Sequence, residues 1–482
     1  MEIKDLIINK SSNLRDALHC LDAKGSGVLF IVDDSNQLLG VLTDGDVRRF
    51  LLSEMNLETA VTNVMNADFV SLSSSSDNST ILENLNDRIK IIPLLNDKGE
   101  VVDYASLNRL RRISIASPLL EGNELTYITE CIKTNWISSQ GKYVRQFEAL
   151  FHDYHENYKA LAVSNGTVAL HLALAALGVG KGDEVIVPNM TFAASINAIL
   201  YTGATPVLVE IEAETLNIDV RKLEALITPK TRAIMPVHLY GQACDMNEIM
   251  RIANEHNLLV VEDCAEALGS TYEGRPLGVF GDAATFSFYG NKTITTGEGG
   301  MVLFKDPAVA EKGAVLRDHG MSKERRYWHD HVGFNYRLTN LQAAIGVAQF
   351  ERLDTFVSAK KALAKKYNAT LSKHSFFQIP VEKENTTNSY WLYTFLVKES
   401  APFNRQELMD FLNEKGVETR PIFFPLNIMP PYVDYGPKDA FKLSKRISEA
   451  GMSLPSAVNL SALEIDYICD CISEFVSRYV DI

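Results

Sequence analysis

The chain has 482 residues, too many for one ordinary hydrophobic core, so two or three domains are expected. Hydrophobic residues make up 46% and charged residues 22%, the balance of a soluble globular protein. The net charge of −14 argues against nucleic acid as a main partner, because phosphate backbones are bound through basic patches. The start, MEIKDLIINKSSNLRD, has no basic-then-apolar leader pattern, and no apolar run approaches the ~18 residues of a membrane helix. Six scattered cysteines fit a reducing compartment, and a cytoplasmic location with no membrane partner is expected. Cys469 and Cys471 lie in an apolar-periodic helix without a second ligand pair, which favours packing over metal binding.

The first ~115 residues hold a degenerate repeat. Ile31 to Thr43 (IVDDSNQLLGVLT) aligns with Leu94 to Ser106 (LLNDKGEVVDYAS). Each copy reads as strand, polar turn and strand, preceded by an amphipathic helix over Asn13–Ala23 or Ser79–Asp87. Two small units around a shared cleft are expected. The stretch Ser71–Ser76 reads as a loop, and the segment Arg112 to Pro118 as the boundary to the next domain.

From ~120 onward, short apolar strands alternate with helices. The expected strands are 160–164, 184–187, 206–209, 233–237, 258–261 and 283–288. Helices are expected over 167–177, 193–200, 219–226 and 246–255. That alternation indicates a mostly parallel sheet covered on both faces. Beyond ~355, a long helix (357–371), a strand near 390–397 and helices near 405–415 and 462–479 suit a smaller α+β domain. The expected domains are therefore 1–114, 115–355 and 356–482.

Ligands of parallel sheets collect at the carboxyl ends of the strands. The strand 160–164 runs into Ser164-Asn165-Gly166-Thr167 and a helix whose N-terminus offers backbone N–H groups to a phosphate; simple capping by Ser164 or Thr167 reads equally well. The strand 258–261 ends in Glu262-Asp263-Cys264-Ala265-Glu266, where a carboxylate can pair with a protonated pyridine nitrogen or merely cap the next segment. Phe192 can stack on a planar ring or pack in a core, and Ser287 can add a hydroxyl to the phosphate. The strand 283–288 delivers Lys292 into SFYGNKTITTGEGG (287–300). A free lysine amine, with a pKa of about 10.4, is a poor nucleophile at neutral pH, but as an imine with an aldehyde cofactor it presents an electrophile to an incoming amine. Phosphate cradle, stacking ring, pyridinium partner and imine lysine together specify pyridoxal 5′-phosphate.

Other signals are weaker. Gly178 to Glu184 (GVGKGDE) lacks the Walker and Rossmann endings and reads as a helix-to-strand connection. His329-Asp330-His331 does not close a metal site, so none is expected; it reads as pocket or loop, with Arg325, Arg326 and Arg337 able to grip a diphosphate or carboxylate.

Two resemblances stand on these residues. Gly40 to Arg49 (GVLTDGDVRR) resembles the nucleotide-binding signature of CBS domains, which implies that Thr43 and Asp46 could hold the ribose and phosphate of a purine nucleotide. Arg109 replaces Asp46 in the second copy, so at most one good site is implied; a pair serving only oligomerisation is the other reading. Residues ~115–482 resemble the DegT/DnrJ/StrS family of sugar-nucleotide aminotransferases. The matching segments are SNGTVALHLAL (164–174), GDEVIVPNMTFAAS (182–195), PVHLYG (236–241), VEDCAEALGS (261–270), FSFYGNKTITTGEGG (286–300) and GFNYRLTNLQAAIG (333–346).

The resemblance implies an α/β fold type I, aspartate aminotransferase-like architecture. It implies that Lys292 forms the imine, Asp263 contacts the ring nitrogen and Phe192 stacks on the ring. Gly166, Thr167 and Ser287 match phosphate ligands, and Asn335 matches a residue reaching the neighbouring subunit's cofactor, which implies a homodimer or higher homo-oligomer. Glu266 stands where many members have Gln or His, near the cofactor hydroxyl. His238, Tyr289, His329 and Arg337 are expected at the substrate. Trp136 to Val144 (WISSQGKYV) and Phe424 to Tyr432 (FPLNIMPPY) look most like the members that aminate GDP-4-keto-6-deoxy-mannose with L-glutamate. The same reaction on a UDP- or dTDP-linked 4-keto sugar, and a catalytically silent regulator joined to a nucleotide sensor, are the alternatives.

Overall fold

The computed structural model describes residues 3–25, 27–54, 56–86, 88–106, 113–437 and 439–479. The chain divides into two compact units. The larger comprises Ser114–Met409, Thr419–Leu460 and Ser473–Ile482; the smaller comprises Met1–Ile113, Asp410–Glu418 and Ser461–Ile472.

The larger unit is organised by a seven-stranded sheet. Its strands are β1 (Lys159–Val163), β2 (Glu184–Pro188), β3 (Thr205–Val209), β4 (Thr231–Ile234), β5 (Leu259–Asp263), β6 (Ala283–Ser287) and β7 (Gly300–Phe304), in spatial order β1-β7-β6-β5-β4-β2-β3. All pairs are parallel except those of β7, which runs antiparallel between β6 and β1. β7 is apolar throughout, and β2 is apolar after Glu184, because both faces are covered. One cover is the helix Gly166–Leu177, from which Ala169 through Leu174 are buried. Two antiparallel sheets accompany the seven-stranded sheet: a four-stranded one, Phe377–Gln378, Tyr393–Val397, Gly451–Leu454 and Arg420–Pro421, and a small one of Arg275–Pro276, Thr271–Tyr272 and Thr386–Thr387. This is the expected α/β class with a largely parallel sheet.

Three local departures have physical causes. Residues 219–226 form two 3-10 turns, Val220–Lys222 and Glu224–Leu226, because Asp219 binds the Arg221 N–H and guanidinium and so competes with a short α-helix. β4 stops at Ile234 because Pro236 has no N–H, although its carbonyl still accepts the Asp263 N–H. The strand expected from 390 starts at Tyr393, because Tyr390 sits at φ 49°, a left-handed conformation that breaks the pleat.

The smaller unit shows the repeat directly. Val28–Val32 and Leu38–Thr43 form one hairpin, Ile91–Leu95 and Val101–Ser106 the other, and both bulge at equivalent points, Ile31/Val32 and Leu94/Leu95. The turns meet: Val101 N–H donates to the Asn36 carbonyl and Leu38 N–H to the Gly99 carbonyl. After the first hairpin, Thr43 caps the helix Asp44–Ser53. The equivalent stretch of the second copy, with Arg109, lies outside the described residues, as does Asp87 at the end of the expected helix, which runs Asn78–Asn84. No helix of the described residues is long and apolar enough to cross a membrane.

Candidate active site

The turn after β6 carries Lys292, whose side chain is 13% exposed. Its Nζ stands 3.8 Å from Glu266 Oε1 and 3.9 Å from the centroid of the Trp391 ring. Burial pulls the Lys292 pKa below the usual lysine value, against Glu266 and Asp263, which raise it. Burial likewise pushes Glu266 up to about 7, opposed by Lys292 and by the Tyr240 N–H, which donates to Oε2 at 2.9 Å. The site thus holds a lysine and a carboxyl whose proton affinities have been brought towards each other, the signature of a functional pair.

Asp263 ends β5, buried, where Oδ2 accepts from Ser195 Oγ at 2.8 Å and Oδ1 from the Ala265 N–H at 3.1 Å. Burial raises its pKa above the usual aspartate value despite these bonds. Both donors are neutral, so a cationic N–H brought beside this carboxylate would be favoured. Ser195 is oriented in turn by Thr191 Oγ1 at 3.0 Å.

The carboxyl end of β1 leads into the helix Gly166–Leu177, capped by Asn165 through a bond from the Val168 N–H at 3.0 Å. The cap is therefore Asn165 and not Ser164 or Thr167. A Cβ on Gly166 would lie 2.8 Å from Ser287 Cβ and 3.1 Å from its Oγ, so only glycine lets the helix start approach that hydroxyl. Helix N-terminal N–H groups beside a hydroxyl form an anion cradle. The residues present therefore fit a phosphorylated pyridine aldehyde: an amine, a buried carboxylate and a cradle at the ends of β6, β5 and β1.

Aromatic rings join these parts. Phe192, 59% exposed after β2, lies 5.9 Å from Phe423; Phe423 stacks on Tyr240 at 5.5 Å, and Tyr240 on Trp391 at 5.9 Å and 9°. The Phe423 segment is fastened to β2: Leu426 N–H donates to the Asn189 carbonyl, Asn427 N–H to Asn189 Oδ1, and Asn189 Nδ2 to Asn427 Oδ1. Tyr432 donates to Asn197 at 2.8 Å. These bonds explain why FPLNIMPPY, remote in sequence, belongs to the site.

The other expected residues fall differently. His238 is corrected: it is fully buried, its Nδ1 accepts the Cys244 N–H and its Nε2 donates to Glu262, which leaves no ring nitrogen for a substrate. Burial would raise the Glu262 pKa, but His238 and the N–H groups of Gly281 and Phe280 outweigh it, so it stays ionised. His238, Glu262 and Cys264 lie within metal-ligating reach of one another, but the first two already serve these core bonds. Arg337 is paired with Asp318 at 2.8 Å, and His329 Nδ1 is bound to the His319 carbonyl at 2.9 Å. Tyr289 and Asn335 are exposed. In the smaller unit, Asp46 faces Thr43 (2.6 Å between Oδ2 and Oγ1) and Arg49.

Tyr240, Trp391, Ser195 and Phe423 were not expected. Ser195 was findable, four residues after Thr191 and so able to share its face. Trp391 carried no such signal, because its role comes from a segment 99 residues beyond the lysine.

Residues 118–473 match the model of the DegT/DnrJ/EryC1/StrS aminotransferase family, and residues 2–53 match that of the CBS domain. Over 363 residues the chain is 48% identical to GDP-perosamine synthase of Caulobacter vibrioides, covering 75% of this chain and 98% of that protein. It is 46% identical to GDP-perosamine synthase of Escherichia coli O157:H7, covering 76% and 100%. The structure of S. venezuelae DesV in complex with a ketimine intermediate superposes with a TM-score of 0.71 at 33% identity, covering 76% of this chain and 99% of that one.

Proposed function

The chain belongs to the DegT/DnrJ/EryC1/StrS aminotransferase family and carries a CBS domain at its N-terminus, and from that membership we propose that it makes GDP-perosamine by moving the amino group of L-glutamate to C4 of GDP-4-keto-6-deoxy-mannose. The observation that carries the reading is the 48% identity to a GDP-perosamine synthase over 98% of that protein, in a chain whose Lys292 amine lies between Glu266 and Trp391. The same reaction on a UDP- or dTDP-linked sugar is the neighbouring alternative.

The chemistry supplied by pyridoxal 5′-phosphate, when bound, is an aldehyde carbon that takes an amine and a ring that accepts the electron pair left by a departing proton. Lys292 would be the attachment point, and its free Nζ would be the base and acid that moves the substrate proton. Burial shifts Lys292 towards its neutral form, and Glu266, raised to about 7, is placed to hold or return a proton beside it. Asp263, oriented by Ser195, holds the ring nitrogen in its charged form. The N–H groups of Gly166 and Thr167 with the Ser287 hydroxyl would hold the phosphate, and Phe192 would be the stacking partner of the ring. Asn335, exposed in this chain, suits a cofactor held by a second copy, so a homodimer is the working assembly.

In the smaller unit, a cavity of about 830 Å³ is lined by Gly27, Thr43 and Asp44 of one copy and by Arg88 and Lys90 of the other. This carries a second reading: a purine nucleotide binds there. Calorimetry on the full chain with AMP, ATP, GMP and GDP tests it, and no heat with any of them would refute it.

The test of the reaction is mass spectrometry after incubating the enzyme, pyridoxal phosphate and L-glutamate with GDP-, UDP- and dTDP-4-keto-6-deoxyhexoses. Amination of the GDP sugar alone is expected. Amination of another sugar alone would overturn the perosamine reading, and amination of none would overturn the reaction.

A further inference from the structure

The Lys292 amine has a neighbour of a different kind from its carboxylates. Nζ lies 3.9 Å from the centroid of the Trp391 ring, well inside cation–π range for the best aromatic partner of a cation. The indole is clamped. Its Nε1 donates to the Asn291 carbonyl at 2.7 Å, one residue before the lysine. Its own carbonyl accepts from the buried Lys360 Nζ at 3.0 Å, and Lys360 is held by Ser456 O at 2.7 Å. Tyr240 stacks on it at 9°, and Trp391 is 5% exposed.

We propose that the indole face of Trp391 is the seat of the Lys292 ammonium whenever the amine is not covalently engaged, which makes Trp391 a positioning residue for the catalytic lysine. This rests on Lys292 being the attachment point. The attraction acts on the charged amine and fades when the nitrogen is neutral, so Trp391 favours the protonated lysine and returns it to one place after each transfer. It works beside Glu266 and Asp263, which face the amine, with Tyr240 behind Glu266 and His238 behind Asp263, and against burial. Lys360 acts from behind the ring by holding its backbone.

The contribution can be read without changing shape. The chain has three tryptophans, and the other two, Trp136 and Trp328, are half exposed. Protein is produced with mono-, di- and trifluorotryptophan, which weaken the ring's negative face stepwise. In cofactor-free protein, the pH at which Lys292 becomes half-reactive towards an acylating reagent is followed by peptide mass spectrometry. The midpoint should fall across the series by about one pH unit, a tenfold change in proton affinity. In Trp391→Phe it should be lowered already and no longer depend on fluorination. A flat series in the unmutated chain, or a dependence surviving in Trp391→Phe, would overturn the proposal. Borohydride trapping of pyridoxal phosphate on the Lys292 peptide is measured alongside. Failure to trap would overturn the attachment reading by itself, separately from the titration.

Discussion

One carboxylate oxygen of Glu266 faces the Lys292 amine at 3.8 Å while the other is held by the Tyr240 N–H at 2.9 Å, so the backbone aims this acid at the lysine. The backbone at Tyr240 is itself left-handed, at φ 53°, a conformation uncommon outside glycine. That local cost is the kind found where a functional group must be presented at a fixed angle.

The raised pKa of Glu266 makes stability depend on pH. The folded state binds this proton more tightly than the unfolded chain, so the contribution is complete below about 4.5 and is lost as pH rises through about 7. Relative to Glu266→Gln, which keeps the bond from Tyr240, the cofactor-free protein should lose on the order of 3 kcal/mol across that window. Denaturant titrations at several pH values measure it, and parallel curves for the two proteins would refute it.

If Lys292 is the attachment point proposed above, Lys292→Ala should lower turnover by at least about a thousandfold, because the proposed mechanism gives this amine both the attachment and the proton transfer. Pyridoxal phosphate should still bind, loosely and without covalent attachment. Steady-state assays and gel filtration of the loaded variant check both outcomes.

Gly166→Ala places a Cβ 2.8 Å from Ser287 Cβ and should close the anion cradle. Cofactor affinity should drop about tenfold or more through lost phosphate contacts, read by fluorescence titration. The cofactor-free form should lose thermal stability too, because the new Cβ meets Ser287 beside its backbone and the helix start or the end of β6 must shift.

His238→Ala should damage folding more than chemistry. It removes one of the four donors to the buried Glu262 carboxylate, which keeps the N–H groups of Gly278, Phe280 and Gly281, and it strands the Cys244 N–H, a loss of about 2–3 kcal/mol. Among molecules that fold, KM for both substrates should stay within about twofold, as expected of a residue without substrate contact. A selective rise in KM would return His238 to the substrate pocket.

Much of this was legible in residue order. Alternating apolar strands and helices announced a covered parallel sheet, and the residues closing β1, β5 and β6 announced where chemistry would gather, since those signals are local. The repeat was equally plain, and folding added matching bulges in its two hairpins. The strand β7 was missed: its apolar run directly follows the glycine-rich segment read around Lys292, and its antiparallel direction is a property of pairing and not of composition.

Residue types at strand ends thus pointed to a cofactor class and to candidates for its attachment lysine and its ring carboxylate, because each needs only its own chemistry and a local address. Tertiary structure alone decided which polar residues remain available. His238 looked like a substrate ligand until folding set Glu262 and the Cys244 N–H against its two nitrogens. Trp391 gave no signal in the sequence, and only folding laid it over Lys292. Burial and hydrogen-bond satisfaction depend on neighbours brought from far along the chain, and they separate a structural histidine from a catalytic one and a packing tryptophan from a working one.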